Sequence, residues 1–478
     1  MNVVDLIRRQ ASERPSHPAV VVDTGQDGAR VVDYAELVGS FDAHAKRLRA
    51  EGVGPGDRCG LLAPQGASFV ELALGILAAR GCLAPIPDDH RGAVLDEFLA
   101  RSRLHHLVRS EESGFERSSC PEAAPVDGED DRAFRALDPA YLRFTSGTTS
   151  RRKGVLLGHA TVLARLDAAN RALAIGPEDR VLWLLPMAHH FVVSILLYLS
   201  RGATLLLPAS SLAKPVLALA GRERATLLYA SPHHYGLLAS DASGQDLPGV
   251  RLAISTADGL RADVAKRFRE RFGFPVTQAL GIIEVGLPVA NLEAAESKPE
   301  ALGRPLPDYE IWLRSEDGAA IEAPSSPERT GEILIRGPGL LDAYLDPWTP
   351  ADEILEEGAF CTGDQGWFDA DGDLYLAGRR ANRISMAGMK FFSEEVEAVI
   401  DAHPAVRESR VRARAHAHLG EIPVAEIVPT DPDAPPERRA LTAHCRERLP
   451  TYKIPREFRV VDALPHTSSG KLQRSMPA

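Results

Sequence analysis

Cysteine is scarce in this chain. The five present, Cys59, Cys82, Cys120, Cys361 and Cys445, are odd in number, scattered, and never spaced as a C-x-x-C pair. That pattern provides neither a disulfide framework nor a zinc cage, and leaves ordinary buried or surface thiols. Long apolar runs are also missing. The start, Met1 to Arg9, has no segment of signal-peptide length, and no stretch is long enough to span a bilayer, so the cytoplasm is the expected location. Positive charge is in deficit, with 55 Lys and Arg against 66 Asp and Glu and a net charge of −11. Such a chain has no global field to attract a nucleic-acid backbone, and any anionic ligand must be held by local cations. There is no internal repeat. What remains is a chain with 44% hydrophobic residues, long enough to bury large cores and to divide into more than one domain.

Local cations occur together at Phe144-Thr145-Ser146-Gly147-Thr148-Thr149-Ser150-Arg151-Arg152-Lys153-Gly154-Val155. Small residues let backbone N–H groups approach phosphate oxygens, the hydroxyls add donors, and Lys153 adds a point charge. The spacing is not that of a Walker A loop. Ala140 to Phe144 before the segment and Val155 to Leu157 after it read as strands, so the loop is expected to close a hairpin, and these apolar flanks argue against a flexible linker. A second polar turn lies far downstream, where Leu464-Pro465-His466-Thr467-Ser468-Ser469-Gly470-Lys471 presents one lysine. Arg379, Arg380 and Arg383 are further local cations.

Between these segments the apolar pattern alternates helix and strand to about Glu300: Val70 to Ala79 as helix, Val181 to Leu185 and Thr204 to Leu207 as strands. Layered α/β architecture is expected from it. Ser118 to Arg132, rich in Pro, Gly, Glu and Asp, reads as an exposed connection. From about Leu302 short strands follow, including Tyr309 to Leu313 and Gly331 to Arg336, which predict a small β subdomain. Beyond Gly378 the pattern changes again, with Glu394 to Asp401 as helix and Val424 to Val428 as strand.

Read in order, these motifs resemble those of the adenylate-forming superfamily, which includes acyl- and aryl-CoA synthetases, stand-alone adenylation domains and firefly luciferase. The resemblance runs through Val32 to Leu37, Gly52 to Arg58, Leu72 to Pro87, the phosphate loop, Pro186 to His189, Gly303 to Pro307, Gly331 to Pro338, Thr362-Gly363-Asp364 before Trp367, Gly378-Arg379 and Lys471. It implies a large N-terminal domain of layered α/β subdomains plus a small β subdomain over 1–378. A small mobile α+β C-terminal lid over 379–478 would follow. The implied reaction activates a carboxylic acid with ATP, through an acyl-adenylate and pyrophosphate, and then forms an acyl- or aryl-CoA thioester with coenzyme A.

The same resemblance assigns roles residue by residue. Thr145, Ser146, Gly147, Thr148, Thr149 and Lys153 would hold the phosphates, Asp364 the ribose hydroxyls, and Arg379 the nucleotide. Lys471 would stand between carboxylate and α-phosphate, where transition-state charge gathers. Glu284 would be catalytic through Mg2+, a hard ligand for a hard cation. His189, His190, Ser255, Ala257 and Gly281 would line the acid pocket. No aspartate occurs from Pro186 to Ser200, where an α-amine would be held, so an aryl or medium-sized acyl acid is favoured over an amino acid.

The chain also departs from the family pattern. Ile283 stands where a threonine usually contacts the α-phosphate, Ser150 and Arg152 replace the usual glycine and proline, Ala381 occupies the hinge position, and Ser385 replaces a common lysine. Gly388 would lie along the thiol approach for either coenzyme A or a carrier-protein phosphopantetheine, and some relatives use an amine. A nucleotide-binding protein without turnover and a luciferase-like oxidase are the remaining readings.

Overall fold

The computed structural model describes the chain apart from residues 26–27, 89, 112–113, 121–127, 145–152, 388, 417, 467–471 and 474–478, and apart from the side chains of 93, 97, 100, 101, 128 and 129. Two large sheets dominate. In one, Thr277–Ile282, Leu252–Ser255, Leu227–Ala230, Arg180–Trp183, Thr204–Leu207 and Pro18–Gly25 run parallel in that spatial order, with antiparallel strands added at both edges. Parallel strands buried on both faces read as continuous apolar runs rather than alternations, and every residue of Thr204–Leu207 and of Leu227–Ala230 is buried.

The second sheet orders Thr349–Pro350, Ala343–Leu345, Gly154–Gly158, Pro139–Phe144, Cys82–Ile86, Arg58–Leu62, His106–Glu111 and Gly114–Ser119. One helix, Ala67–Ala78, is built almost wholly of small and apolar residues and is buried nearly all round. It packs on Tyr34–Ala50, where Gly75 comes so close that a Cβ would stand 2.8 Å from the Cβ of His44. A single apolar cluster runs from Val3 to Leu374 through both sheets and into the small one.

The small sheet is antiparallel and holds Ala320–Ile321, Glu310–Arg314, Gly331–Arg336, Phe360–Phe368 and Leu374–Arg379. The C-terminal part has a core of its own, formed by residues such as Ile384, Phe391, Val396, Ile400, Val411, Ile427 and Leu441. These come from the strands Arg383–Met386, Met389–Phe392, Val406–His416, Gly420–Pro429 and Glu457–Val460 and the helices Ser393–Asp401 and Arg438–Arg446. The chain is therefore a large N-terminal α/β domain followed by a smaller α+β domain. Polar contacts join them: Lys390 Nζ lies 2.6 Å from Glu316, which also pairs with Arg383, and Arg261 donates to the Asp401 carbonyl at 2.8 Å. Among the described residues no helix is long and apolar enough to cross a membrane.

Three expectations change in detail. Val181 to Leu185 is strand only to Trp183, whose indole N–H turns back to the Leu185 carbonyl at 2.6 Å. Ser118 to Arg132 is not all connection, because Gly128–Ala136 is helical: Asp131 accepts from Arg135 one turn later, and Phe134 is fully buried beneath the Arg58 guanidinium. The small β subdomain is also interrupted, since after Arg336 the chain returns to the second large sheet and pairs Ala343–Leu345 with Gly154–Gly158.

Gly303, in the Gly-Arg-Pro segment, adopts φ +91°, and a Cβ there would meet the Asn291 Cα at 2.4 Å and the Ala290 carbonyl oxygen at 2.5 Å. Both contacts are backbone and cannot rotate away. Gly303→Ala is expected to cost about 2 kcal/mol of stability or more. Chemical denaturation of the two proteins checks this; an unchanged midpoint would mean that the crossing relaxes freely.

Candidate functional site

The hairpin expected around the phosphate loop is present in its two strands. Pro139–Phe144 and Gly154–Gly158 pair antiparallel, with Phe144 opposite Gly154 and Arg143 opposite Val155. Thr145, Ser146, Gly147, Thr148, Thr149, Ser150, Arg151 and Arg152 lie outside the described residues, as do Gly388 and Lys471. Lys153 is described and exposed, with its Nζ 4.5 Å from the centre of the Tyr344 ring, a cation–π distance. Tyr344 is there because its strand pairs with Gly154–Gly158, Tyr344 opposite Val155. Its hydroxyl donates to Glu284 Oε1 at 3.4 Å, so Lys153, Tyr344 and Glu284 converge although they are far apart in sequence.

Glu284 sits in the turn between the strands Thr277–Ile282 and Gly286–Ala290. Its backbone is fixed from both sides: the Leu341 N–H donates to the Glu284 carbonyl at 2.7 Å, and the buried Arg165 donates to the carbonyls of Ile283 at 2.7 Å and Gly339 at 2.5 Å. Burial pushes the Glu284 carboxyl above its ordinary range, and the Arg143 and Arg165 guanidiniums and the Tyr344 hydroxyl oppose that rise. A partly buried carboxylate oxygen of this kind suits a hard divalent cation, whose arrival favours the ionised form. The other acids that gather as metal ligands would, among the described residues, are Asp369, Asp371 and Asp373. Lys298 Nζ stands 2.6, 2.6 and 2.7 Å from their carboxylates and already supplies the positive charge.

Asp364 and Arg379 are brought together by strand register. The strands Phe360–Phe368 and Leu374–Arg379 set them opposite one another, with Arg379 Nε 3.0 Å from Asp364 Oδ1. Gly363 takes φ +72° just before Asp364, the Thr362 hydroxyl accepts from the Asp364 N–H at 3.1 Å, and the same hydroxyl donates to the Ile333 carbonyl at 2.8 Å. The Thr-Gly-Asp order thus builds a rigid corner that fixes a buried carboxylate against an arginine.

The expected acid-pocket residues lie on three segments, the first two joined by an aromatic group. His189 and His190 end the short helix Met187–His190, and the next five residues, Phe191–Ile195, form a π-helical turn of the kind that recurs at functional sites. His190 meets the edge of Tyr229, which stacks on Trp183 at 4.8 Å and 12°. Tyr229 lies in the strand beside Leu252–Ser255, directly opposite Ile254. Ser255 is buried, Ala257 is half-buried with φ +79°, and Gly281 is exposed, where a Cβ would come 3.5 Å from Thr256 Oγ1. A cavity of about 280 Å³ opens beside His189, lined also by Gln65, Phe69, Asp88 and Met187.

Sequence reasoning did not single out Arg143, Tyr229, Tyr344, Gln65 or Asp88. For Arg143 there was a signal, a charged residue in an otherwise apolar strand. The position of Tyr344 depends on a strand pairing that has no local signature.

The family model for AMP-binding enzymes matches residues 7–345, and that for the AMP-binding enzyme C-terminal domain matches residues 395–471. The chain is 28% identical to the sulfoacetate–CoA ligase of Cupriavidus necator over 98% of this chain and 96% of that one. It is 29% identical to the 2-succinylbenzoate–CoA ligase of Bacillus subtilis over 93% and 92%. Among solved structures, the O-succinylbenzoate coenzyme A synthetase of Bacillus subtilis bound to AMP superposes with a TM-score of 0.85 at 26% identity, covering 98% of this chain and 97% of that one. These relatives are named as CoA ligases or synthetases, and this chain belongs to the adenylate-forming family of AMP-binding enzymes.

Proposed function

We propose that the protein activates a carboxylic acid with ATP as an acyl-adenylate and then transfers the acyl group to coenzyme A. The observation that carries this reading is the convergence of Lys153, Tyr344 and Glu284 at the base of the phosphate-loop hairpin. A cation held over an aromatic face beside a carboxylate is an arrangement suited to a metal-bound polyphosphate. Coenzyme A is favoured over a carrier protein or an amine as acceptor because the sulfoacetate, 2-succinylbenzoate and oxalate enzymes, each matched over more than nine-tenths of its length, are named CoA ligases.

In this reading Thr145, Ser146, Gly147, Thr148 and Thr149 donate to the phosphates, while Asp364 accepts from the ribose hydroxyls and Arg379 contacts the nucleotide. Glu284 would hold Mg2+, which supplies charge neutralisation of the polyphosphate. Lys471 donates to the carboxylate and α-phosphate as negative charge develops between them. His189, His190, Ala257 and Gly281 flank the acid, and Ser255 supports that wall from behind. Domains meeting at 378/379, the second a lid that moves between the half-reactions, would deliver Lys471 for the first step and the region of Gly388 for the second. The cytoplasm is the proposed location.

Pyrophosphate release from Mg·ATP across a panel of aryl and aliphatic acids, with and without coenzyme A, tests this. Acid-dependent release followed by thioester formation is the expected result. ATP binding with no release for any acid would instead favour the nucleotide-binding reading to which Ile283 and Ser385 point, and oxygen consumption by a preformed adenylate would favour the oxidase.

A further inference from the structure

Arg143 is an anomaly in its strand. Pro139–Phe144 is otherwise apolar, and Tyr141 and Arg143, two residues apart, share one face, directed at the helix Met187–His190. The Tyr141 hydroxyl donates to the Ala188 carbonyl at 3.3 Å, and Arg143 donates to the His189 carbonyl at 2.5 Å. A second guanidinium nitrogen lies 3.3 Å from His189 Nδ1. Guanidinium can only donate, so Nδ1 is the acceptor and the imidazole proton is on Nε2.

The charge of Arg143 is not balanced locally. Among the described residues its hydrogen bonds go to His189 and it forms no ion pair, and its Nε is buried with no hydrogen-bond partner. Burial and the absence of an ion pair make this guanidinium costly, and burial lowers its pKa from the ordinary value. The neighbouring charge comes from Glu284, which Arg165 and Tyr344 also engage. Arg143 remains partly accessible. His189 at its tip lines the open cavity.

We propose that Arg143, together with His189 in the tautomer it imposes, forms an anion subsite that selects carboxylic acids bearing a second acidic group. This rests on the acid-activating reading and narrows its substrate class from aryl and medium acyl acids in general to doubly acidic ones. The anion that meets Arg143 could also belong to the nucleotide phosphates, since the hairpin carries both sites, and the test separates the two sources.

Initial rates of pyrophosphate release are compared for dicarboxylic acids and their size-matched monoamides, with wild type, Arg143→Met and Arg143→Lys. Wild type is expected to prefer the diacid by about thirtyfold in kcat/KM, the scale of one charge-assisted pair. Arg143→Met removes the preference chiefly through the KM of the diacid, Arg143→Lys keeps part of it, and the KM for ATP stays within about twofold, since the subsite is separate from the nucleotide. Equal use of diacid and monoamide by wild type overturns the inference without needing any variant to fold. A large rise in the KM for ATP with unchanged acid preference overturns it in favour of a phosphate contact. If wild type releases no pyrophosphate with any acid, the activating reading itself fails, an outcome distinct from either.

Discussion

Lys471→Ala is expected to slow adenylate formation by about three orders of magnitude while ATP affinity changes only a few fold. The asymmetry follows from when the contact is made. In the ground state the substrate carboxylate and the α-phosphate are both anions, already solvated or bound elsewhere. In the transition state their charges are forced together, and a lysine between them is worth far more than before. A group that binds substrate and transition state alike would raise KM without lowering kcat. Single-turnover adenylation and equilibrium ATP binding, measured on the same variant, separate these cases. Undiminished adenylation would remove Lys471 from the reaction, and a parallel loss of ATP binding would make it a nucleotide ligand. The thioester half-reaction offers an internal control: supplied with a preformed acyl-adenylate, the variant should still acylate coenzyme A.

How much of this could be read from the chain depended on whether a feature is local. The strand Thr204–Leu207 and the helix at Ser393–Asp401 were legible because an apolar run or a helical period is written in consecutive residues. The Asp364 and Arg379 positions were legible as motifs, but their ion pair was not, because it comes from the register of two strands joined by the turn at Asp369 to Asp373. Tyr344 was invisible for a stronger reason. Its strand is only three residues long and pairs with a partner nearly two hundred residues earlier, so no window of sequence contains both. Gly128–Ala136 was missed because its composition is that of a loop and its helix is fixed by tertiary contacts, Arg135 to the Pro55 carbonyl and Phe134 into the core. Arg143 was legible as a residue out of character with its strand, while its meaning required knowing that His189 lies beside it.

The C-terminal domain should lose stability as pH rises from about 4 to about 7, and Asp401→Asn should abolish most of that loss. Asp401 ends the helix Ser393–Asp401, where the helix dipole places partial negative charge, and its side chain is largely buried. Burial raises its pKa from 3.8 to about 7; the Arg261 guanidinium, 3.9 Å away, opposes the rise, whereas Glu397 and Glu408 add to it. Between the unfolded value near 4 and the folded value near 7 the native state binds a proton that the unfolded state has released, so stability falls with increasing pH across that window and is flat above it. From about pH 5 to about pH 8 the single group is worth about 3 kcal/mol. Hydrogen exchange of the strands Val406–His416 and Gly420–Pro429 reports local stability in the same domain as the titrating group. Wild type should show faster exchange-corrected opening at the higher pH. The asparagine variant, which keeps the shape and cannot ionise, should be nearly level and more stable than wild type at about pH 8. An equal slope in both proteins would place the pH dependence elsewhere. A variant that is less stable than wild type at about pH 8 would show that the attraction of Arg261 for the charged Asp401 outweighs the cost of burying it.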